Sequence, residues 1–171
     1  MNGFTKGHIQ TVDTHDRGGN HMADPKQIAR QSIELFNQGK IDEWSKMVRD
    51  DAQLVTPIAG TIKGRDAIVG YFKQMRQTFP DARIDIHTIV NEGNSIAVEY
   101  TFSGTNKGPM QLPTGQMIPP TNKALSGPSA DIAEIDNEGK LKSLHQYFDT
   151  ARGLEQLGLA PQPAVAASGR R

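Results

Sequence analysis

Asp131, His145 and Gln146 are the residues whose type and position suggest acid–base chemistry. Asp131 stands in a run where every second residue, Ala133 and Ile135, is apolar, which predicts a strand with the carboxyl group on its inward face. A carboxylate on that face must be hydrogen-bonded or neutral. We therefore predict that Asp131 carries a proton or donates a hydrogen bond to a substrate. The alternative is a solvent-exposed carboxylate at the end of a strand.

The partner of Asp131 depends on the register of the last predicted hairpin. With a three-residue loop, 137–139, Asp131 lies opposite His145 and shares its face with Tyr147. This register pairs a carboxyl group with an imidazole, which can accept or donate a proton. A phenol hydroxyl would then stand beside an acid–base pair.

A four-residue loop, 136–139, gives a different site. Asp131 then lies opposite Leu144 and shares its face with Gln146 and Phe148. One residue of register turns every side chain of a strand to the other face. The apolar pattern favours the three-residue loop, because that loop places Leu141 beside an inward isoleucine. Local reasoning leaves both registers open.

Three amphipathic helices are predicted ahead of the main strands. The first begins with Asp24 as N-cap and Pro25 at the first helical position, and Gly39 ends it. A second helix is predicted over 41–49, and a third ends before Pro80. Helices followed by antiparallel strands predict an α+β domain with the helices on one sheet face, which leaves room for a small apolar ligand between the layers.

The apolar period changes to two after the third helix, which predicts a long hairpin that turns at 91–94. On its outer face His87 is expected opposite Glu99 as a polar cross-strand pair. Prolines and glycines then predict a long loop over most of 104–128, as a lid or a dimer arm. The expected inward residues of the hairpin are Ile84, Ile86, Val90, Ile96, Val98, Tyr100 and Phe102.

The last predicted elements are the hairpin strands 130–135 and 141–148 and a short helix, 151–157. Asp149 is expected to cap that helix. Residues 1–22 lack an apolar period and predict a disordered leader or an expression remnant, and 160–171 predict a disordered tail. The folded domain is therefore expected over 23–159.

The composition excludes several kinds of chemistry. The chain of 171 residues has no cysteine, which excludes disulfides, thiol nucleophiles and cysteine-based metal sites. Nineteen basic residues balance nineteen acidic ones, so nothing predicts attraction to nucleic acid or acidic membranes. No apolar run approaches the ~18–20 residues of a membrane span. We predict a soluble, cytoplasmic protein without a metal site.

Several motifs over residues 24–159 resemble the SnoaL-like polyketide cyclases and ester cyclases of the nuclear transport factor 2-like superfamily. They are Phe36-Asn37-Gln38-Gly39-Lys40, Gly64-Arg65-Asp66-Ala67-Ile68, Tyr147-Phe148-Asp149 and Leu154-Glu155-Gln156-Leu157-Gly158-Leu159. The resemblance implies a cone-shaped, curved antiparallel sheet packed against three N-terminal helices, a homodimer and no cofactor. It also implies ring closure by an aldol reaction, in which a carboxylate moves a proton.

The family's catalytic positions are only partly filled in this chain. The cyclase carboxylate falls on Gln146, which favours the four-residue register but cannot take a proton at neutral pH. In ketosteroid isomerases, which share the fold, a tyrosine position falls on Ser32 and the base on Thr56, so only the second aspartate, at Asp131, is kept. The resemblance therefore does not imply steroid-type isomerisation.

Together these features predict cofactor-free acid–base catalysis on a small apolar carbonyl compound. Asp131 would carry the proton, and Gln146 or His145 would orient the substrate, according to register. The alternatives are a non-catalytic ligand-binding or dimerisation module and an epoxide hydrolase. The residues expected to line the cavity are Tyr100, Phe148, Leu144, Trp44, Phe36 and Tyr147.

Overall fold

A computed structural model describes residues 24–111 and 115–159. The predicted leader, 1–22, and the predicted tail, 160–171, lie outside the described residues. The helices are α1 (Pro25–Asn37), α2 (Ile41–Trp44), α3 (Arg65–Thr78) and α4 (Thr150–Gln156). The strands are β1 (Val48–Thr56), β2 (Gly60–Lys63), β3 (Arg83–Glu92), β4 (Ser95–Thr105), β5 (Met110–Gln111), β6 (Met117–Ile118), β7 (Ala124–Ile135) and β8 (Leu141–Phe148).

The caps predicted from the sequence set the helix ends. The Asp24 side chain accepts a hydrogen bond from the backbone N–H of Lys26, and Gly39 follows α1 with a φ of 72°. The second helix is shorter than predicted, because a 3₁₀ turn over Ser45–Met47 leads directly into β1. Val48 is fully buried in that strand, where sheet pairing suits its β-branched side chain.

Six strands form one sheet in the order β2-β1-β8-β7-β4-β3, and β5 pairs with β6 separately. The fold class is α+β, as predicted, with a sheet that is antiparallel except for the parallel pair β1–β8. Helices α1 and α3 cover one face of this sheet, and the apolar core lies between the layers. Among the described residues, no helix is long and apolar enough to cross a membrane.

A one-residue irregularity in the first hairpin corrects the predicted face of β3. The register shifts between Ile86 and Thr88, so that His87 is an extra residue. Beyond it Ile89, rather than Val90, packs into the core, and Val90 is 54% exposed. His87 therefore contacts the hydroxyl of Thr101, at 2.8 Å between Nε2 and Oγ1, and not Glu99, which pairs with Thr88.

The last hairpin combines features of both predicted registers. Its loop has three residues, because Asp136 N–H donates to the carbonyl of Lys140. A register shift then makes Lys142 an extra residue. Beyond this bulge Asp131 pairs with Gln146, so neither His145 nor Leu144 lies opposite Asp131, and both predicted pairings were wrong.

The segment predicted as a long loop is partly regular. Strand β4 continues to Thr105, and β7 begins at Ala124, so the irregular part is shorter than predicted. Pro128 lies within β7 opposite Thr101 of β4. The pairing of β7 with β8 begins only at Ser129, so Pro128 interrupts no hydrogen bond between β7 and β8. The extended β7 reaches the end of the sheet where the cavity lies.

Candidate functional site

A cavity of about 820 Å³ lies between the helices and the inward face of the sheet. Its wall is largely apolar, with a few hydroxyl and amide groups, as is common for small-molecule sites. Phe36 of α1, Phe102 of β4 and Phe148 of β8 supply aromatic rings. The polar side chains important here are Tyr71, Tyr100, Ser129 and Gln146.

Asp131 is not itself a lining residue of the cavity, but it lies beside two of those side chains. The hydroxyl of Tyr100 donates a hydrogen bond to the Asp131 Oδ1 at 2.9 Å. Gln146 of β8 lies directly opposite Asp131 of β7. Burial raises the pKa of the Asp131 carboxyl from 3.8 to about 6, although hydrogen bonds from Tyr100 and Gln146 oppose this shift. The group can therefore exchange a proton near neutral pH. Asp131 is enclosed rather than solvent-exposed at a strand end.

Tyr100 connects Asp131 to the cavity. Its side chain is buried, at 3% exposure, and lines the cavity. Burial raises the pKa of its phenol well above the ordinary range, and the charge of Asp131 adds to this. The phenol therefore stays protonated, and its proton points to Asp131. Its oxygen still has lone pairs that can accept.

Gln146 is the second link between Asp131 and the cavity. It is 8% exposed and lines the cavity. Its Oε1 has no hydrogen-bond partner, alone among the buried side-chain polar atoms of residues 24–111 and 115–159. An ionised carboxylate accepts hydrogen bonds but cannot donate them, so the amide N–H group of Gln146 faces Asp131. The amide oxygen is then without a hydrogen-bond partner.

Tyr71 and Thr56 form a second polar pair in the site. The Tyr71 hydroxyl and the Thr56 Oγ1 are 3.4 Å apart, and Tyr71 lines the cavity from α3. Burial raises the pKa of Tyr71, and the nearby charge of Asp131 adds to it. Tyr71 was not among the predicted site residues. The signal that could have identified Tyr71 is its position on the buried face of a helix. A buried tyrosine hydroxyl usually has a hydrogen-bond partner.

The predicted site residues separate into three groups. Three of them line the cavity: Phe36, Tyr100 and Phe148. Their role in substrate binding stays a prediction. Trp44 and Leu144 are instead buried in the core, where the indole N–H of Trp44 donates to Ser32 at 2.7 Å. Trp44 packs against Phe72, which lines the cavity, at 4.8 Å between ring centroids.

His145 and Tyr147 lie on the other face of the sheet. His145 pairs with Ile132 and Val55, and Tyr147, 51% exposed, pairs with Ala130. The bulge at Lys142 is the cause, because it reverses the face that the three-residue loop alone would give them. The predicted roles of His145 in catalysis and of Tyr147 in substrate binding are therefore corrected.

The segment after β4 contributes to the cavity wall. Met110 and Gln111 line it. The fully buried Asn106 fixes this segment: its amide donates to Gly108 O at 2.8 Å and accepts from Thr121 N–H at 2.7 Å. The role of this segment as a moving lid stays a prediction.

Helix α4 closes another part of the same wall. Asp149 caps it, as predicted, by accepting a hydrogen bond from the backbone N–H of Arg152 at 2.9 Å. Both residues also line the cavity, so a carboxylate and a guanidinium stand in its wall apart from Asp131. In the part of the chain that the structure describes, no three His, Asp or Glu residues are grouped to hold a metal ion.

The arrangement can move a proton and bind an oxygen. Asp131 can accept a proton through Tyr100, and the Tyr71–Thr56 pair has one hydroxyl proton left to donate, since only one of the two hydroxyls donates to the other. These groups stand in a largely apolar wall, where hydrogen bonds and charges act more strongly than in water. The site has the elements of acid–base catalysis.

Solved structures with the same fold come from several bacteria. A candidate polyketide cyclase from Pseudomonas putida matches with a TM-score of 0.70 at 16% identity, over 78% of this chain and 98% of that chain. IdmH, a candidate polyketide cyclase from Streptomyces antibioticus, matches with a TM-score of 0.66 at 22% identity, over 80% and 99%. At these identities the likeness shows the ketosteroid-isomerase-like fold alone.

A third structure holds a small molecule. A protein from Catenulispora acidiphila with a ketosteroid-isomerase-like fold, in complex with trimethylamine, matches with a TM-score of 0.65 at 18% identity, over 78% of this chain and 93% of that chain. No curated protein sequence matches this chain. The family model described as the SnoaL-like domain matches residues 29–144, which include most of α1, all of α2 and α3, Asp131 and most of the sheet. This chain therefore belongs to the SnoaL-like domain family.

Proposed function

We propose that this protein catalyses cofactor-free proton transfer on a small apolar carbonyl compound, in a reaction of the cyclase or isomerase type. The observation that carries the proposal is the hydrogen bond from Tyr100 to Asp131 in the wall of the cavity. It joins a carboxyl group whose pKa is about 6 to a side chain that lines the cavity. A base with a pKa near the working pH is the most effective.

The first step is removal of a proton from the carbon next to the carbonyl group. That proton passes to the Tyr100 oxygen while the proton of Tyr100 passes to the Asp131 carboxylate. The electron pair of the broken C–H bond forms the enolate. Tyr100 ends the step neutral, as its raised pKa requires, and Asp131 ends it protonated.

Tyr71 stabilises the enolate oxygen in this proposal. Its phenol is neutral in the cavity wall and can donate a hydrogen bond to the developing negative charge. Donors fixed in a water-poor site are worth about 3–4 kcal/mol in such reactions. Return of the proton at another carbon gives an isomer, and attack of the enolate on a second carbonyl carbon closes a ring.

Deuterium exchange into 2-tetralone, an apolar ketone with acidic C–H bonds, tests the proton-transfer step. The wild-type protein should exchange these hydrogens faster than buffer, at a rate that rises with pH and levels off above about pH 6, where Asp131 is ionised. Asp131→Asn and Tyr100→Phe should each lower the rate by about 100-fold or more. Glu99→Gln, an exposed change on the neighbouring strand, serves as the matched control and should leave the rate unchanged.

Wild-type exchange at the buffer rate, with 2-tetralone bound, would favour the second candidate, a non-catalytic ligand-binding module. One observation favours that candidate: uncharged Gln146 and Thr56 stand where related enzymes place carboxylates. The trimethylamine complex of the related structure supports a small ligand under either function. The epoxide-hydrolase alternative stays a prediction that no described contact favours.

We also propose that the protein forms a homodimer through the outer face of its sheet. Ile132 and Tyr147 are exposed at 48% and 51% on adjacent strands of that face, with His145 beside them. Exposed apolar side chains that neighbour one another often mark an interface. The molar mass from light scattering should equal two chains. A single-chain mass for the wild-type protein at micromolar concentration would refute the dimer.

A further inference from the structure

We propose that the cavity also binds organic cations, in which a positively charged nitrogen is enclosed by carbon groups, as in quaternary and tertiary ammonium compounds. Aromatic rings in the cavity wall surround such a ligand, and the buried carboxylate of Asp131 behind the wall attracts its charge. The inference uses the cavity but not the proposed proton transfer, so it goes beyond the proposed function.

The first support is the concentration of aromatic rings around the cavity. The ring planes of Tyr71 and Phe72 are 80° apart, and those of Phe79 and Phe102 are 89° apart. Two rings at nearly right angles can form a corner with a ring face on each side, and the face of an aromatic ring attracts a cation. Seven of the ten aromatic residues of the chain line the cavity: Phe36, Tyr71, Phe72, Phe79, Tyr100, Phe102 and Phe148.

The second support is that the charge of Asp131 has no counterpart. Its carboxylate accepts a hydrogen bond from the neutral phenol of Tyr100, and none of the ion pairs among residues 24–111 and 115–159 includes it. Burial raises the pKa of this carboxyl to about 6, so it is still ionised at neutral pH. A buried charge is usually paired with one of opposite sign. A cation in the neighbouring cavity supplies that partner.

The charge of Asp131 acts across the cavity. Tyr71 lines the cavity from the helix layer, whereas Asp131 belongs to the sheet. Burial raises the pKa of the Tyr71 phenol, and the charge of Asp131 adds to this. Charges interact over longer distances in an apolar interior than in water, so a ligand need not touch the carboxylate to be attracted by it.

The other charged side chains of the cavity wall do not cancel this attraction. They are Asp149 and Arg152, which have opposite signs and stand three positions apart at the start of α4. Both residues are exposed, so water and salt screen their charges. Asp131 is therefore the charge that distinguishes the inner part of the cavity.

Two probes of the same shape test the inference. Benzyl(2-hydroxyethyl)dimethylammonium has a charged nitrogen where 3,3-dimethyl-4-phenylbutan-1-ol has a neutral carbon. Isothermal titration calorimetry of the wild-type protein at about pH 8 gives the Kd of each, and we expect the cation to bind about 10-fold more tightly. A cavity without this attraction would prefer the neutral alcohol, because the cation loses more hydration on binding.

The pH dependence identifies the source of the attraction. The charge of a quaternary ammonium does not change with pH, whereas Asp131 takes up a proton below about pH 6. Lowering the pH from about 8 to about 5 should therefore weaken binding of the cation by up to about 10-fold and leave binding of the alcohol unchanged. A cation affinity that does not change over this range would overturn the inference.

Asp131→Asn removes the charge with little change in shape, so the ratio of the two Kd values should fall to about 1 or reverse. Glu99→Gln, which neutralises an exposed carboxylate on the neighbouring strand, should keep both the wild-type ratio and its pH dependence. A cation preference that persists in Asp131→Asn would overturn the inference, because the attraction would then come from elsewhere in the wall.

Equal binding of both probes by the wild-type protein, tighter binding of the alcohol, or binding of neither also overturns the inference. These results need no variant, so a misfolded Asp131→Asn protein does not remove the test. Thermal unfolding of each variant checks its fold. Binding is measured without turnover, so a cation preference without deuterium exchange would refute only the proposed proton transfer. Exchange without a cation preference would refute only this inference.

Discussion

Removing the charge of Asp131 should change how the stability of the protein depends on pH. Burial raises the pKa of this carboxyl from 3.8 to about 6, so it binds its proton more tightly in the native state than in the unfolded chain. Its contribution to stability is therefore greatest below about pH 4 and is lost as the pH rises towards and through 6. A shift of about 2 pH units corresponds to about 3 kcal/mol in total.

Asp131→Asn tests this contribution with little change in shape. The Asn oxygen can still accept the hydrogen bond from Tyr100, but the side chain does not titrate. Between about pH 4.5 and about pH 8 the free energy of unfolding of the variant, minus that of the wild type, should grow by about 2 kcal/mol. All other titrating groups are shared, so their contributions cancel in this difference.

Urea denaturation of both proteins at several pH values measures the difference. Glu99→Gln replaces a carboxylate that is exposed on the neighbouring strand, and its difference from the wild type should stay within about 0.5 kcal/mol across the range. The reasoning is refuted if the Asp131→Asn difference stays flat or shrinks as the pH rises. That result would mean that the native structure does not disfavour the ionised carboxylate.

Four further variants test separate parts of the structure. Gly108→Ala should destabilise the protein by about 1–3 kcal/mol, because a Cβ there would overlap the Gln77 carbonyl, whereas Gly153→Ala, an open helical position, should raise stability by up to about 1 kcal/mol; urea denaturation measures both. Ser32→Ala should cost about 1–3 kcal/mol in the same assay, because the buried Trp44 N–H loses its acceptor. Ile132→Glu should shift the proposed dimer to single chains in light scattering, and an unchanged mass would place the interface elsewhere.

Local signals in the sequence predicted the caps of the first and last helices correctly, although the second helix was predicted too long. Asp24 and Asp149 accept the expected backbone hydrogen bonds, and Gly39 and Gly158 have the positive φ angles of helix ends. These features depend on residues within a few positions of one another. They therefore form in the same way wherever the helix packs.

The polar contacts of the site were harder to predict. Asp131 was predicted as the principal residue, and the structure encloses it. Its contact with Tyr100 spans 31 positions, and the Tyr71–Thr56 pair joins a helix to a strand. Such contacts depend on how the helix layer lies against the sheet, which the alternation of apolar residues does not encode.

The sequence by itself determined the fold class, the order of the main helices and hairpins, the family resemblance and the inward position of Asp131. Only the tertiary structure decided which residues meet Asp131 there. Single extra residues at His87 and Lys142 reverse the faces of the strands beyond them, which places Ile89 and Gln146 inside and Val90 and His145 outside. A bulge forms when pairing and core packing across the whole sheet outweigh the hydrogen bonds lost at one residue. That balance involves strands distant in sequence, so it is settled only when the sheet and the helices come together.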